Sequence, residues 1–262
     1  MPELINSRAI SIIVHGDSKA GKSTLITTAP RPILLLDAEA AHRFMNLRKI
    51  EWNPMTQAPP VYDCTWDMAV VVVRDYSTMV RAYEWLNSGQ HPFRSLGIDS
   101  ITEIQVKLQE QVTGDPIAAK MNYDKWGAVL AHMEDMMRKM RDLTAHPTHP
   151  LEAVVITAMT HMMDGKWRPF MQGQSAKKAP YFYDIIGYMY VELQYNAQDP
   201  TQPPIELRRM LAGFDPTIIA GERVQGRLPR IIDNPNVTTM LDAVFGQQQQ
   251  QPPSTNQGGN QG

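Results

Sequence analysis

Short apolar runs of strand length alternate along this chain with longer stretches in which apolar residues recur every three to four positions, from residue 9 to about residue 211. Residues 9–15, 33–37, 69–73, 96–99 and 153–157 are mostly apolar, as strands buried on both faces must be, and residues 188–194 and 205–211 follow as further strands. Residues 22–28, 76–87, 101–112 and 123–144 read as helices. Strands alternating with helices of this length predict an α/β fold, a mostly parallel central sheet with helices on both faces.

The last of these helices carries Met133, Met136, Met137 and Met140 at i, i+3, i+4 and i+7, a stripe suited to core packing or to the face of a neighbouring protomer. After Gly246 the composition changes to Gln, Pro, Gly, Asn, Ser and Thr, too polar to offset chain entropy by burial. The expected organisation is a folded domain over residues 1–246 and a disordered tail rich in Gln, Pro and Gly over residues 247–262.

No apolar run approaches the roughly 18 residues of a membrane span, and Met1-Pro2-Glu3-Leu4 lacks the basic-then-apolar layout of a secretory signal. The expected location is the cytoplasm, with no membrane partner. Cys64 is the single cysteine, which excludes an internal disulfide and a cysteine-based metal cluster. A net charge of −2 over 262 residues gives no global field that would hold a polyanion, so any contact with nucleic acid has to be local.

Chemistry enters with Gly16, Asp17, Ser18, Lys19, Ala20, Gly21, Lys22, Ser23 and Thr24, which spell G-x-x-x-x-G-K-[ST] between an apolar strand and the start of a helix. Gly16 and Gly21 let the backbone turn without a Cβ clash, so that successive N–H groups face phosphate oxygens. Lys22 is then the cation for the β- and γ-phosphates, and the Ser23 hydroxyl is a ligand for Mg²⁺. The cofactors implied are ATP and Mg²⁺.

Hydrolysis needs more than the cradle: an acid beside Mg²⁺, a carboxylate that orients water, and usually a positive charge for the transition state. Asp99 ends the apolar run Leu96-Gly97-Ile98 and is placed to hold the Mg²⁺ shell; Asp37 and Glu39 end the run Ile33-Leu34-Leu35-Leu36. Open α/β sheets bind ligands at the carboxyl ends of their strands, which makes Glu39 the candidate water-positioning base. Lys22, Asp99 and Glu39 are thus the catalytic candidates, with Ser23 and Asp99 as the metal ligands.

Gly-x4-Gly-Lys-Ser at 16–23, Leu-Leu-Leu-Asp-Ala-Glu-Ala-Ala at 34–41, Ile-Asp-Ser at 98–100 and Val-Val-Ile-Thr-Ala at 154–158 occur in this order. In this the chain resembles the ATPase core of the RecA family, in particular the short, core-only RecA-like ATPases of bacteriophages that work with single-strand DNA annealing and recombination. The resemblance spans roughly residues 9–211. It implies that Glu39 is the catalytic glutamate and Asp99 the Mg²⁺-side aspartate. It also implies a homo-oligomer, ring or filament, with ATP between protomers, and a mobile DNA-contacting loop after the fourth of these motifs. A single-strand-binding or annealing protein of phage or host is the partner it suggests, in the host cytoplasm if the chain is phage-encoded. Family members commonly carry a polar sensor, often glutamine, just past that strand; here Thr160 or His161 stands in its place. The extra terminal domains of full-length recombinases have no counterpart in these 262 residues.

The segment after that strand has the composition of a single-strand binder on its own account. Lys166, Arg168, Lys177 and Lys178 stand against the lone acid Asp164, with Trp167, Phe170, Tyr181, Phe182 and Tyr183 among them. Cations pair with phosphates and aromatic faces stack on bases; the aromatics also suit a core, and Asp164-Gly165 suits a hairpin turn. Lys166, Trp167, Arg168, Lys177 and Lys178 are the DNA-binding candidates. For a charge acting across a subunit boundary Arg208, Arg209, Arg223, Arg227 and Arg230 are available, and Arg223 and Arg227 lie in a Gly-flanked loop. His146 and His149 have a spacing near that of metal ligands, but with no third ligand nearby they read as loop residues.

The function expected is that of an ATP- and Mg²⁺-dependent ATPase that binds single-stranded DNA and assists annealing or recombination. A P-loop kinase acting on a small acceptor, and a non-hydrolysing protein whose DNA or partner affinity is switched by ATP, are the alternatives. Against the kinase, residues 101–160 hold only Arg138 and Arg141 for a phosphate lid, both in a helical stretch.

Overall fold

The computed structural model describes residues 8–115, 121–196, 198–199 and 201–246. The tail expected over residues 247–262 lies outside them. Strands β1 (Ile10–Gly16), β2 (Ile33–Asp37), β3 (Lys49–Glu51), β4 (Met68–Val72), β5 (Ser95–Asp99), β6 (Ala153–Thr157), β9 (Ile185–Gln194), β10 (Ile205–Leu211) and β12 (Ile231–Asp233) form one sheet in the order β12-β10-β9-β1-β6-β5-β2-β4-β3. From β9 to β3 every pairing is parallel, whereas β10 and β12 add antiparallel ladders at one edge, and β11 (Gly221–Glu222) pairs with the start of β9. A separate antiparallel pair, β7 (Thr160–Met163) and β8 (Lys166–Pro169), stands beside it.

Period-two alternation divides the buried side chains between two helical layers. Ile13, Leu34, Leu36, Ile98, Val154 and Ile156 face α2 (Tyr76–Leu86), α3 (Ile101–Thr113) and α4 (Tyr123–Asp142), a layer that also takes in the short α5 (Ser175–Lys178). Their strand neighbours Ile12, Val14, Ile33, Leu35 and Val155 face α1 (Lys22–Ile26) and α6 (Val237–Phe245). Met133, Met136, Met137 and Met140 all lie in the first layer. Each such burial stabilises by roughly 1.5–3 kcal/mol, so the stripe belongs to the core and leaves no face for a neighbour.

The element boundaries move where side chains or distant strands intervene. Helix α1 stops at Ile26 instead of running on to residue 28, because Thr27 and Thr28 turn their hydroxyls back onto the Thr24 and Leu25 carbonyls, both at 2.7 Å, just before Pro30. Strand β9 begins at Ile185, ahead of the expected residue 188, because Ile185, Ile186 and Gly187 pair with Ile12, Ile13 and Val14 of β1. Strands β3, β11 and β12 are two or three residues long and carry no periodic signal.

Candidate functional site

Strand β1, buried throughout, delivers the chain into the phosphate loop between β6 and β9. A Cβ on Gly16, whose φ is +142°, would stand 2.0 Å from the Met189 carbonyl oxygen, so only glycine lets β9 pass here. The loop then turns through left-handed Lys19 (φ 64°) and Gly21 (φ 96°). Among the described residues the backbone N–H groups of residues 21–24 find no acceptor in the protein. They are a set of unspent donors facing a cleft of about 470 Å³. The Lys22 ammonium donates to the carbonyls of Gly16 (2.9 Å) and Asp17 (2.7 Å). Burial lowers its pKa, and the carboxylates of Glu39, Asp99 and Asp17 oppose that shift.

The facing wall is acidic. Strand β6 lies between β1 and β5, which sets Asp99 across the cleft from the phosphate loop. Asp99 is 2 % exposed, accepts a hydrogen bond from the Thr157 hydroxyl on Oδ1, and among the described residues leaves Oδ2 buried with no hydrogen-bond partner. Burial raises its pKa, the Ser23 and Thr157 hydroxyls pull the other way, and the charges of Glu39 and Asp37 push it further up. A buried carboxylate oxygen without a donor, beside a serine hydroxyl, is the oxygen donor set that suits a hard divalent cation, so the residues present fit Mg²⁺.

Asp37, the last residue of β2, and Glu39, two positions beyond it, do different work. Asp37 is fully buried and accepts from the N–H groups of Glu39 (3.0 Å), Ala41 (3.2 Å) and His42 (2.9 Å) and from the His42 ring. That pins the turn on which Glu39 rides. Glu39 is exposed to the cleft, and its carboxylate accepts from the hydroxyl of Ser100, the N-cap of α3. The cleft is therefore lined by Lys22, Ser23, Glu39 and Asp99 together, brought from three separate stations of the sequence.

Residues 8–224 match the family model described as AAA domain. The chain belongs to the AAA domain family. Its members are P-loop ATPases, which work with ATP and Mg²⁺. No curated protein matches the chain. Helix α6 lies beyond the matched range, yet it is tied to the AAA domain by Val237 N–H on the Thr28 hydroxyl (2.9 Å) and the Thr238 hydroxyl on the Thr28 carbonyl (2.7 Å). No helix among the described residues is long and apolar enough to cross a membrane.

Of the two sensor candidates in this AAA domain, Thr160 lines the cleft and His161 does not. The Thr160 hydroxyl meets Nδ1 of His15 at 3.0 Å, and Nε2 of the same ring meets the Ile219 carbonyl at 2.9 Å. A carbonyl can only accept, so Nε2 carries the proton and Nδ1 accepts from Thr160. Burial drives the His15 pKa down to about 4; the Ile219 bond opposes this, and Lys22 and His161 reinforce it. His161 instead sets its ring edge-on to Phe170, with centroids 4.7 Å apart. His15, absent from the sequence reading, is thus the joint between the strand feeding the phosphate loop and the β7–β8 hairpin.

The hairpin turns at Asp164-Gly165, with φ of 53° and 73° as a tight two-residue turn requires. It is strapped down by Trp167 N–H on the Thr217 carbonyl (2.7 Å) and Ile219 N–H on the Trp167 carbonyl (2.8 Å). The cations expected to form an open patch are largely engaged. Arg168 points inward and is only 9 % exposed, Lys177 pairs with Asp164 at 2.8 Å, and Lys178 pairs with Glu134 at 2.9 Å. Phe182 and Tyr183 are buried in the core, whereas Trp167, Met162 and Tyr181 are exposed and Lys166 is half-buried. The two loop arginines considered for a subunit boundary are also engaged. Arg223 donates to the carbonyls of Tyr181 (3.0 Å) and Tyr183 (2.7 Å), and Arg227 to that of Val244 (2.5 Å). The arginine that does line the cleft is Arg208, on β10. The only sequence sign of it is an arginine in the middle of the run expected as the strand over residues 205–211.

Proposed function

We propose that this chain is an ATP- and Mg²⁺-dependent ATPase that binds single-stranded DNA and assists its annealing or recombination, assembling as a ring or filament with ATP between protomers. The observation that carries the nucleotide half is the convergence of Lys22, Ser23, Asp99 and Glu39 on one cleft beside a run of unspent amides. Lys22 and those amides neutralise the phosphates. Ser23 and Asp99 would hold Mg²⁺, which when bound would draw charge from the phosphate oxygens. Glu39, steadied by Ser100 and by the turn Asp37 pins, orients the attacking water and takes its proton.

The DNA half rests on the neighbourhood. Met159 and Thr160 line the cleft at the root of a hairpin whose far side exposes Met162 and Trp167 and carries Lys166, followed by Lys177 and Lys178. Base stacking on Trp167 and release of the lysines from Asp164 and Glu134 would give sequence-tolerant binding. Hydrolysis alters the surroundings of Thr160, and through it the hairpin's grip. Against the kinase alternative, Arg138 pairs with Glu134 and lies over the Phe182 ring, and Arg141 pairs with Asp142, so neither is free to serve as a phosphate lid.

Phosphate release by wild type and Lys22→Ala, with and without single-stranded oligonucleotide, tests the reading. DNA-stimulated hydrolysis that the variant lacks is the expected result. Normal hydrolysis by Lys22→Ala would remove the cleft from the chemistry, and ATP-dependent DNA binding without turnover would favour the switch.

A further inference from the structure

The late arginines differ in what their guanidinium groups touch. Arg209 pairs with Glu192 and Asp233, Arg223 with Asp184 and two carbonyls, Arg227 with the Val244 carbonyl, and Arg230 with Asp215. Arg208 has no hydrogen bond or ion pair from its side chain among the described residues, and it is the one of the five that lines the nucleotide cleft. Its backbone is held on both sides: Arg208 pairs with Val191 of β9, and its carbonyl accepts from Asn234 N–H at 2.8 Å. Its stem lies over the phosphate loop so closely that a Cβ on Gly21 would stand 3.0 Å from Arg208 Cδ. A rigid strand thus carries an unpaired cation over the glycine bend.

The side of the loop matters. A pocket of about 120 Å³ branches from the cleft at Gly21, Thr24 and Arg208 and is closed by Met189, Asn234 and Pro235. Glu39 and Asp99 border the cleft but not this branch. Arg208 borders both spaces, so its guanidinium reaches along the Gly21–Thr24 side of the loop, where the acids are absent, as well as into the cleft they line.

We infer that Arg208 grips the α- and β-phosphates of a nucleoside triphosphate bound to its own chain, a binding residue acting in cis. This rests on the reading of the cleft as an ATP site. A planar guanidinium, with its several donors, matches adjacent phosphate oxygens and spares the chain a neighbour's arginine for binding.

Titration calorimetry of the full chain with ATP and with ADP, for wild type, Arg208→Ala and Arg208→Gln, tests it. Loss of one charge-assisted contact should weaken ATP and ADP alike, by about tenfold or more. In steady-state hydrolysis KM should rise with kcat within about twofold. Equimolar mixtures of Arg208→Ala with Lys22→Ala, whose own cleft is disabled but whose Arg208 is intact, should keep the raised KM. ADP binding unchanged while ATP weakens would move Arg208 to the γ-phosphate, and a wild-type KM in the mixture would make it a trans residue; either result overturns the inference. Wild type that binds no nucleotide would overturn the ATP reading and this inference together, whereas wild-type binding with unimpaired variants would overturn this one alone. Arg208→Gln keeps the stem against Gly21 and a polar head, which guards against reading a folding defect as lost affinity.

Discussion

The nucleotide cleft and the hairpin beside it both collect charge, but they dispose of it differently. In the cleft, among the described residues, Asp99 Oδ2 has no donor, Arg208 has no acceptor, and the amides of residues 21–24 donate to no protein group. In the hairpin and the segment after it, Lys177 and Lys178 are paired with acids, while Arg168 is turned inward and its buried Nε, like the buried Nδ1 of His161, has no partner among the described residues. Unspent hydrogen-bonding capacity inside a fold costs free energy and persists where a ligand will use it. Surface ion pairs contribute little and open readily. The cleft therefore keeps polar groups open to an occupant, whereas under the proposed function Lys177 and Lys178 would have to exchange Asp164 and Glu134 for phosphates.

Glu39→Gln should break the cleft side most severely. Removing the base while keeping the side chain's shape should lower turnover by about 10²–10⁴-fold with ATP affinity retained. Undiminished hydrolysis would take Glu39 out of the reaction. The joint between the two regions comes next. Burial holds His15 near 4 in the folded chain against 6.5 in the unfolded one, so as pH falls the unfolded chain takes up the proton first. The His15 contribution to stability should be full above about pH 6.5 and lost between 6.5 and 4, about 3 kcal/mol from this group. His91, lowered to about 4 chiefly by burial, contributes to the same decline. Urea titrations across this range should show His15→Gln losing part of the slope; an unaltered slope would place the effect elsewhere.

Asp37→Asn tests whether the Glu39 turn is truly held from below. A carboxamide oxygen cannot replace both carboxylate oxygens as acceptor for three amides and a ring, and the cost should be about 1–3 kcal/mol of stability. Turnover should fall about tenfold or more through misplacement of Glu39. Wild-type kcat in a destabilised variant would reduce Asp37 to a structural role. The smallest effect sharpens the hairpin side. Asp164→Asn combined with Glu134→Gln frees Lys177 and Lys178, and affinity for single-stranded DNA should rise several-fold. Its dependence on log salt should steepen by roughly 0.7 per lysine. Binding and salt slope equal to wild type would exclude both lysines from the interface.

Much of the framework was legible without coordinates. Strands β2, β6 and β10 run over the expected residues, and α3 and α4 over nearly all of theirs, because burial on both faces and helical periodicity are local signals. The hairpin at Asp164-Gly165 was open to either reading until the turn dihedrals settled it. The site was legible in its parts. Residues 16–24 and Asp99 announce themselves as a loop motif and a strand-end acid. That Asp37 holds the turn while Glu39 faces the cleft was not visible, since two acids after one strand read alike until their hydrogen bonds are known. His15 looked like one more residue of an apolar strand, and its partners Thr160 and Ile219 lie 145 and 204 positions away.

By itself the order of residues determined that a glycine-lysine loop would follow a buried strand, that acids would end two others, and that helices would cover both faces of the sheet. Those outcomes depend on neighbours a few positions apart. Which arginine stands over the loop, and whether a cation is free or paired, were decided only when β9 packed against β1 and carried β10 beside it. The first of these joins residues 173 positions apart, such as Ile12 and Ile185, and no local pattern distinguishes an arginine that will meet a carboxylate from one that will meet none.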